Sequence, residues 1–479
     1  MSTPTRFDFT ADVPELAELG PVHLVAVGGI GMSALARLLL ARGVPVSGSD
    51  AVDSPLLSAL AAEGVTVHVG HDAAYLGSAR TVVVSTAVRE SNVELAEARR
   101  RGLRVLHRAQ ALAATMGPRR VAIAGANGKT TTTSMMAEAL IAAGLDPSYA
   151  IGGELLATST NAHVGSGDLF VVEADESDGS FVVYHPMVAV VTSVQPDHLD
   201  FFGTFEAVQQ AYRAFVGTIR PDGLLVVCVD DPGARALGEW ARSSGLRVVG
   251  YGTSPDADAR VVDVVLDGVR SRAVVEWAAR RIPLALDVPG DYNVLNATAV
   301  FLAATAGVGA SPEGVLAGLA GFAGTRRRFE SIGRVGGIEV VDDYAHNPAK
   351  VDAVVSTGRR LAGTGRLVVV FQPHLYSRTR DFAADFGQAL SPADLLVVMD
   401  VYAAREDPIP GVDSGLVVRA TRAARSGVDV RTAAGGAQVL DMLVGVLRPG
   451  DFVLTVGAGD VTTVGPELVR RLDERTVTP

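Results

Sequence analysis

Cysteine is nearly absent from this chain of 479 residues. Its single copy, Cys228, excludes an intramolecular disulfide framework and any zinc site built only from cysteines. Cys228 lies in the apolar run GLLVVCVDD, which favours a buried structural thiol over a nucleophile. Basic residues are outnumbered too, with 42 Lys and Arg against 53 Asp and Glu and a formal net charge of −11. An acidic chain without a dense basic stripe argues against nucleic acid as the main partner.

Long apolar runs are also missing. No uninterrupted apolar stretch approaches the length that a membrane-spanning helix needs, and the N-terminal segment MSTPTRFDFTADVPELAELG has no apolar core of signal-peptide length. We therefore expect a cytoplasmic protein that does not insert into a membrane.

What the chain does contain is an alternation of valine- and alanine-rich runs with glycine turns, within a composition of 48% hydrophobic residues and 52 glycines. Strand-like runs that alternate with helix-like ones predict α/β architecture with parallel sheets. The Met116-Gly117-Pro118 break and the segment GTRRRFE suggest domain boundaries. We expect three domains: Rossmann-like over residues 1–117, P-loop ATPase-like with a parallel sheet over 118–325, and Rossmann-like over 326–479.

The segment VAIAGANGKTTTT, residues 121–133, has the composition of a phosphate-binding loop. A complete P-loop would have glycine where Ile123 stands, so the pattern is compressed. The apolar strand, the paired glycines and the helix that opens after them still suit phosphate, because backbone N–H groups and a helix N-terminus attract anions. Lys129 would reach the terminal phosphates and the Thr130 hydroxyl would hold Mg²⁺.

A second glycine-rich loop lies in VGGIGMSALA, where Gly29 to Ala34 follow a predicted strand in the order G-x-G-x-x-A. Asp50 stands 19 residues after Gly31, at the end of the next predicted strand. This pattern is typical of dinucleotide binding and makes NAD a candidate ligand. The same loop suits any diphosphate, including that of a UDP-sugar, so both alternatives stay open at this point.

Acidic side chains cluster at the end of a further predicted strand, in DLFVVEADESDGSF. Glu173 continues the apolar run, whereas the acids from Asp175 onward suit either a site or an exposed turn. A carboxylate at the carboxyl end of a strand beside a phosphate loop is a natural magnesium ligand. His198, next to Asp197 after another apolar strand, is expected at the same edge of the sheet.

Together these motifs resemble those of the Mur ligases, ATP-dependent enzymes that build the peptide stem of the bacterial cell wall. The resemblance runs from Val22 to about Val464, and the compressed loop G-x-x-G-K-T is that family's form. Further stretches carry it: HLVAVGGIGMSALA, VEADESDGSF, DHLD, VFQPHLYSRTRDF, VYAAREDPIPGVDS and VGAGDV. They are most similar to the members that join L-alanine to UDP-N-acetylmuramate. This implies ATP, Mg²⁺ (or Mn²⁺ in its place) and an acyl-phosphate intermediate. We also expect a monomer or weak dimer.

Position by position, the resemblance implies that ATP contacts the loop and three residues further along the chain, namely Gly125, Ala126, Asn127, Gly128, Lys129, Thr130, Thr131, Asn296, Arg328 and Asp343. Asn296 would read adenine, Arg328 would approach the nucleotide, and Asp343 would bind the ribose. The metal would be held by Thr130, Glu173 and His198. The resemblance assigns catalytic roles to Lys129, Glu173, His198 and Arg378.

The resemblance also implies that the N-terminal domain binds the UDP-sugar, through Gly29, Ile30, Gly31, Met32, Asp50, His71, Ser85, Thr86 and Ala87. The C-terminal domain would close over ATP and bind the muramyl carboxylate or the amino acid, through Tyr344, His346, His374 and Arg378. Three positions depart from the family pattern: Asn127, Leu375 and Ala26 stand where histidine, arginine and glycine are usual.

An oxidoreductase that uses a nicotinamide cofactor is the alternative from a different class, although it leaves GANGKTTTT unexplained. A silent nucleotide-binding regulator is disfavoured because Lys129, Glu173 and His198 are all present. Within the ligase class, the alternative is a related ligase that attaches a recycled peptide to the same UDP-sugar.

Overall fold

A computed structural model describes residues 6–404 and 406–477 of the chain. These residues form three β-sheets with helices between their strands along the chain, which confirms the predicted three-domain α/β class. By their contacts they divide into two compact units, one of residues up to 265 with 271–323 and one of 266–270 with the residues from 324 onward. The boundaries expected at residues 117 and 325 stay predictions. Among the helices that the structure describes, none has the length and hydrophobicity that a bilayer crossing requires.

The first sheet has five parallel strands in the order β3-β2-β1-β4-β5. Its strands are β1 (Val22–Val25), β2 (Val46–Asp50), β3 (Thr66–Val69), β4 (Thr81–Val84) and β5 (Arg104–His107). The helices are α1 (Ile30–Ala41), α2 (Pro55–Glu63), α3 (Val93–Arg100) and α4 (Arg108–Ala114), with 3-10 turns at Leu16–Glu18 and Ala73–Leu76. Because the strand order reverses at β1, the loops after β1 and β4 border the crevice where such sheets bind ligands.

The second sheet has ten strands in the order β15-β14-β13-β12-β11-β10-β6-β9-β7-β8. They are β6 (Arg119–Ala124), β7 (Ser148–Ala150), β8 (Ala162–His163), β9 (Leu169–Glu173), β10 (Val188–Val191), β11 (Leu224–Cys228), β12 (Arg247–Gly252), β13 (Ala259–Asp267), β14 (Arg270–Trp277) and β15 (Arg280–Leu286). The helices are α5 (Lys129–Ala142), α6 (Leu199–Phe202), α7 (Phe205–Gly217), α8 (Pro232–Ser243), α9 (Asp291–Leu302) and α10 (Pro312–Ala320), with a 3-10 turn at Ser180–Tyr184 and a π-helix at Ala303–Val308.

The predicted parallel sheet forms the centre of this larger one. Strand β6 pairs in parallel with β9 and β10, and the parallel pairing continues through β11 and β12. Both edges are antiparallel: β8 pairs with β7, and β15 pairs with β14. The turn between β14 and β15 consists of Ala278 and Ala279, whose positive φ angles of 49° and 59° suit a tight hairpin.

Cys228 is buried at the end of β11. Burial raises the pKa of its thiol to about 11. The side chain is therefore protonated at neutral pH, which agrees with the structural thiol that the apolar run predicted.

Close packing of α10 on α5 places the helix that begins at Lys129. A Cβ atom at Gly318 would lie 2.6 Å from the Cα atom of Ala139, and one at Gly314 would lie 2.5 Å from the Cα atom of Ala143. Glycine at these two positions of α10 therefore lets the two backbones approach more closely than any larger residue would allow.

Glu138, on α5, is expected to make stability depend on pH. Burial raises the pKa of its carboxyl to about 7, while a hydrogen bond from the backbone of Ala323 acts the other way. Because the folded-state pKa lies above the unfolded one, stability is highest at low pH and is lost as pH rises towards 7. Glu138→Gln should therefore be more stable than wild type at pH 8, by about 1 kcal/mol once solvent screening is allowed for, and nearly equal at pH 5.

Thermal unfolding at the two pH values measures this difference. Glu239→Gln, on an exposed position of α8, is the matched control and should change the melting temperature equally at both. A Glu138→Gln variant with the same melting-temperature shift at pH 5 and pH 8 would contradict the prediction.

The third sheet belongs to the second unit and has six strands in the order β16-β17-β21-β18-β19-β20. They are β16 (Glu330–Val335), β17 (Ile338–Asp343), β18 (Leu367–Phe371), β19 (Leu395–Met399), β20 (Asp429–Ala433) and β21 (Phe452–Val456). Only β16 is antiparallel to its neighbour among these strands. The helices are α11 (Pro348–Ala362), α12 (Tyr376–Asp381), α13 (Ala383–Leu390), α14 (Gly415–Ala424), α15 (Gly436–Val446) and α16 (Val464–Val477), with a 3-10 turn at Asp460–Thr463.

Candidate active site

The compressed loop connects β6 to α5 and requires glycine at two positions. Gly125 has φ of 140° and Gly128 has φ of 81°, both in the region that side chains other than glycine avoid. A Cβ atom at Gly125 would also lie 2.0 Å from the Thr192 hydroxyl oxygen. The loop ends at the N-terminus of the 14-residue helix α5, where backbone N–H groups and the helix dipole favour an anion.

Residues that follow β10 hold this loop in place. The N–H of Ala126 donates to the Ser193 carbonyl oxygen at 3.2 Å, and the N–H of Asn127 donates to the Ser193 hydroxyl at 3.0 Å. The Thr192 hydroxyl donates to the carbonyl of Asn127. Sequence reasoning missed both of these supporting residues, although they lie only six and five residues before His198.

Asn127, one of the three departures from the family pattern, starts a chain of side-chain amides. Its Nδ2 donates to Gln195 Oε1 at 2.9 Å, and Gln195 Nε2 donates to Asp231 Oδ2 at 2.9 Å. Asp231 also caps α8 by accepting from the N–H of Ala234. The departure therefore has its own partners and leaves the loop intact.

Lys129 forms a buried ion pair. Its Nζ donates to Glu176 Oε1 at 2.8 Å and to the Gly125 carbonyl at 2.6 Å. Burial opposes the charged ammonium, but the carboxylates of Glu176 and Asp175 outweigh it and raise the pKa of Lys129. The lysine is therefore a cation at the mouth of the loop. Glu176 is one of the acids from Asp175 onward that suited either a site or an exposed turn, and its pairing with Lys129 was not predicted.

Glu173 and Thr130 are brought together as expected. Thr130 Oγ1 donates to Glu173 Oε1 at 2.9 Å, and the N–H of Gly152 donates to Glu173 Oε2 at 2.7 Å. A Cβ atom at Gly152 would lie 2.7 Å from that carboxylate, so the glycine allows this contact. A hydroxyl and a carboxylate at adjacent positions form the kind of oxygen donor set that Mg²⁺ prefers.

His198 contacts different carboxylates. Its Nε2 lies 3.8 Å from Glu176 Oε1 and 4.0 Å from Asp197 Oδ2, and its backbone has a positive φ of 54°. In the part of the chain that the structure describes, no group of three or more His, Cys, Asp or Glu side chains is arranged to hold a metal ion. Glu173 and Thr130 thus form one donor pair, and His198 is connected to Lys129 through Glu176.

Asn296, on α9, lies against the second glycine of the loop. A Cβ atom at Gly128 would be 2.7 Å from Asn296 Oδ1, and Asn296 Nδ2 donates to Asn293 Oδ1 at 3.2 Å. The structure therefore brings this predicted adenine contact to the phosphate loop. Thr131 lies in the first turn of α5, beside Thr130.

Asp50 accepts a hydrogen bond from the backbone of the N-terminal loop. The N–H of Gly28 donates to Asp50 Oδ2 at 2.9 Å, and a Cβ atom at Gly28 would lie 2.8 Å from the same oxygen. Ala26, which replaces a usual glycine, has a positive φ of 64°. Gly29, Ile30 and Gly31 follow at the start of α1, but the Met32 side chain is 3% exposed and packs in the core. Met32 can therefore contact a ligand only through its backbone.

His71 follows β3 and belongs to a buried polar cluster. Its Nδ1 lies 3.1 Å from Glu94 Oε2 and from the Ser49 hydroxyl, and that hydroxyl donates to Glu94 at 2.6 Å. His23 Nε2 lies 3.7 Å from the other oxygen of Glu94. Glu94 was not predicted, since it lies in the first turn of α3 and has no motif around it.

Thr86 connects the first sheet to the acidic segment after β9. Its hydroxyl donates to Asp178 Oδ2 at 3.2 Å, and His107 Nε2 lies 3.2 Å from the same oxygen. Burial opposes ionisation of Asp178, but the bond with His107 holds its pKa below the usual value. Ser85 and Ala87 flank Thr86 in the segment after β4, half-buried and exposed respectively.

In the second unit, Asp343 ends β17 and is buried. Its two carboxylate oxygens accept the N–H groups of Phe329 and Ala345, each at 2.7 Å. Burial raises the pKa of Asp343 to about 6, with the charge of Arg328 acting in the opposite direction. The Arg328 guanidinium lies 5.1 Å from the centre of the Tyr344 ring.

The remaining predicted residues of this unit lie in a row of rings. The His346 ring is 5.2 Å from that of Tyr344 and 5.8 Å from that of His374. Arg378 Nη1 lies 3.4 Å from His374 Nδ1. Leu375, which departs from the family pattern, has a positive φ of 71° and is buried, so its side chain packs inward.

The chain matches three family models along most of its length. Residues 21–120 match the model described as Mur ligase family, catalytic domain; residues 123–304 match the Mur ligase middle domain; and residues 327–459 match the Mur ligase glutamate ligase domain.

Relatives and solved structures point to one branch of these proteins. A UDP-N-acetylmuramate–L-alanine ligase from Kineococcus radiotolerans is 54% identical over 97% of this chain and 99% of its own length. The enzyme of that name from Renibacterium salmoninarum is 50% identical over 96% of this chain and 97% of its own length. The crystal structure of UDP-N-acetylmuramate–alanine ligase from Thermotoga maritima matches with a TM-score of 0.81 and 27% identity, covering 95% of this chain and 99% of that one.

Proposed function

This chain belongs to the Mur ligase family, and we propose that the site described above carries out that family's reaction on one particular pair of substrates. The protein is an ATP-dependent ligase that joins L-alanine to the carboxylate of UDP-N-acetylmuramate in peptidoglycan precursor synthesis. The observation that carries the proposal is the glycine loop at the start of α5, with Lys129 at its mouth and Glu173 beside Thr130.

The reaction needs an activated carboxylate, because a carboxylate oxygen is a poor leaving group. An oxygen of the muramyl carboxylate attacks the γ-phosphorus of ATP, ADP departs, and an acyl phosphate forms. L-Alanine, as its free amine, then attacks the acyl carbon; the C–N bond forms, the C–O bond to phosphate breaks, and the surplus proton on nitrogen leaves to solvent. Both reactants of the first step are anions, so a fixed cation at the transfer point lowers the barrier. Lys129 supplies that cation, held by Glu176 and the Gly125 carbonyl.

Magnesium would be held by Thr130 and Glu173. Their oxygen atoms suit a hard cation that usually takes one or two protein ligands and otherwise phosphate and water. Bound there, the ion supplies positive charge against the phosphate groups. His198, which has Glu176 as its neighbour, would be a third ligand. Mn²⁺ should replace Mg²⁺, because it accepts nitrogen ligands more readily.

The N-terminal loop would bind the diphosphate of the UDP-sugar. The contacts of Asp50 favour a UDP-sugar over NAD as the ligand. Its carboxylate accepts the backbone N–H groups of Gly28 and Val52, whereas in a dinucleotide-binding site the acidic residue at this position accepts from the ribose hydroxyl of the cofactor. Ile30, Gly31, His71, Ser85, Thr86 and Ala87 are the further substrate residues of this proposal.

The roles of Asn296, Arg328 and Asp343 towards ATP stay predictions. The same holds for Tyr344, His346, His374 and Arg378 towards the muramyl carboxylate or the amino acid. A protein that consumes ATP and a UDP-sugar would work in the cytoplasm, and a monomer or weak dimer remains the expected oligomeric state.

Phosphate release tests the proposal. The protein with ATP, Mg²⁺ and UDP-N-acetylmuramate should release phosphate when L-alanine is added and not when D-glutamate is added. A tripeptide that begins with L-alanine tests the peptide-attaching alternative. Release with the tripeptide and not with L-alanine, or saturable NADH fluorescence without any binding of UDP-sugar, would overturn the proposed function.

A further inference from the structure

Arg108 lies where the N-terminal loop meets the acidic segment of the second sheet. It is the first residue of α4, directly after β5, at the carboxyl edge of the first sheet. Its Nη2 is 3.6 Å from Asp175 Oδ2, two residues beyond the predicted metal ligand Glu173. No motif drew attention to this arginine.

The guanidinium packs directly against the glycine loop. A Cβ atom at Gly31 would lie 2.5 Å from Arg108 Nη1 and 3.2 Å from its Cδ and Cζ atoms. Gly31 is the second residue of the 12-residue helix α1, where a diphosphate would meet backbone N–H groups. The charge of Arg108 is therefore adjacent to the position where the diphosphate would bind.

Arg108 has hydrogen-bonding capacity that the protein does not use. Its side chain is only 20% exposed, yet among residues 6–404 and 406–477 its one polar contact is the Asp175 ion pair, which is too long for a hydrogen bond. A guanidinium carries five N–H donors in a planar fork that matches phosphate oxygens. Holding a mostly buried guanidinium with so few partners costs free energy, which an anionic ligand would offset.

We propose that Arg108 binds the diphosphate of the sugar nucleotide and is a further binding residue of the substrate site. This inference rests on the proposed function and adds a residue to it. The guanidinium donates to diphosphate oxygens on the side facing Gly31, while its attraction to Asp175 keeps the side chain turned towards the second sheet. The sugar and its carboxylate are thereby directed towards Glu173 and Lys129.

Binding of two sugar nucleotides to the full chain tests the proposal. UDP-N-acetylmuramate and UDP-N-acetylglucosamine share the diphosphate, and only the first has a carboxylate. Calorimetry should show that Arg108→Ala weakens the binding of both sugar nucleotides by the same factor, about 10- to 100-fold, since a charged hydrogen-bonded contact is lost. Arg108→Lys should recover part of the affinity, because it keeps the charge and loses the fork.

Arg104→Ala is the matched control. Arg104 lies on β5 four residues earlier, is exposed, and donates to the Glu18 carbonyl at 2.7 Å. Its removal should leave both affinities unchanged. Melting temperatures of all variants show whether each is folded.

Each outcome of these measurements either supports or overturns the proposal. Equal loss for both nucleotides in a folded Arg108→Ala variant supports the proposal. Loss of affinity for UDP-N-acetylmuramate alone would show that the arginine binds the carboxylate. Unchanged affinities would show that its role is purely structural. Either result overturns the proposal and leaves the proposed function standing. If Arg108→Ala does not fold, equal affinities of Arg108→Lys and wild type overturn it. A wild-type protein that binds neither nucleotide would overturn the proposed function and this inference together.

Discussion

Lys129→Ala should lower kcat about a thousandfold while the affinity for UDP-N-acetylmuramate stays within about twofold of wild type. The ammonium lies at the mouth of the loop and would act on the phosphate that is transferred, whereas the sugar nucleotide would bind the loop after β1. Steady-state kinetics measures the first effect, and calorimetry with the sugar nucleotide measures the second. Lost sugar-nucleotide affinity in a folded variant would contradict this separation of roles.

A second variant is needed because removing Lys129 leaves Glu176 buried without its cation. Glu176 is 2% exposed, and an unpaired buried carboxylate is costly and would repel phosphate. In Lys129→Ala combined with Glu176→Gln this negative charge is absent. A kcat that stays low in the double variant assigns the loss to the missing ammonium, and a kcat that recovers assigns it to the unpaired acid.

Glu173→Ala should raise the Mg²⁺ concentration needed for half-maximal rate by at least about tenfold, with little change in the KM for L-alanine. Glu173 is held by two donors, Thr130 and the N–H of Gly152, so its oxygens have a defined position. Its loss would remove the carboxylate that accepts the hydrogen bond from Thr130. Rates measured as a function of Mg²⁺ at saturating substrates give the change.

Two comparisons sharpen this test. Glu176→Gln, which removes a charge from the same segment, should lower kcat through Lys129 and leave the Mg²⁺ requirement nearly unchanged. His198→Ala shows whether the histidine shares the metal with Glu173. If neither Glu173→Ala nor His198→Ala alters the Mg²⁺ requirement, the assignment of these two residues to a shared metal ion is wrong.

The elements that could be predicted are those whose signals lie within a few residues of one another. The phosphate loop is one: its glycines, its lysine and its threonines are contiguous, and the conformation follows from positive φ angles at Gly125 and Gly128 before a helix. The α/β class follows in the same way from alternating strands and helices. The antiparallel edges of the second sheet were harder to predict. Pairing of β14 with β15 depends on the Ala278-Ala279 turn, and no glycine in the sequence indicates a turn there.

By itself, the sequence determined the family, the α/β class and the place of the two glycine loops, because each depends on local chain geometry. Only the tertiary structure decided which side chains meet. It paired Lys129 with Glu176, turned Asp50 onto Gly28, buried the side chain of Met32, and set Arg108 against Gly31. These contacts involve residues from different helices, loops and strands, and their geometry depends on strand order and on the direction of each side chain. Neither property is encoded in the spacing of residues along the chain.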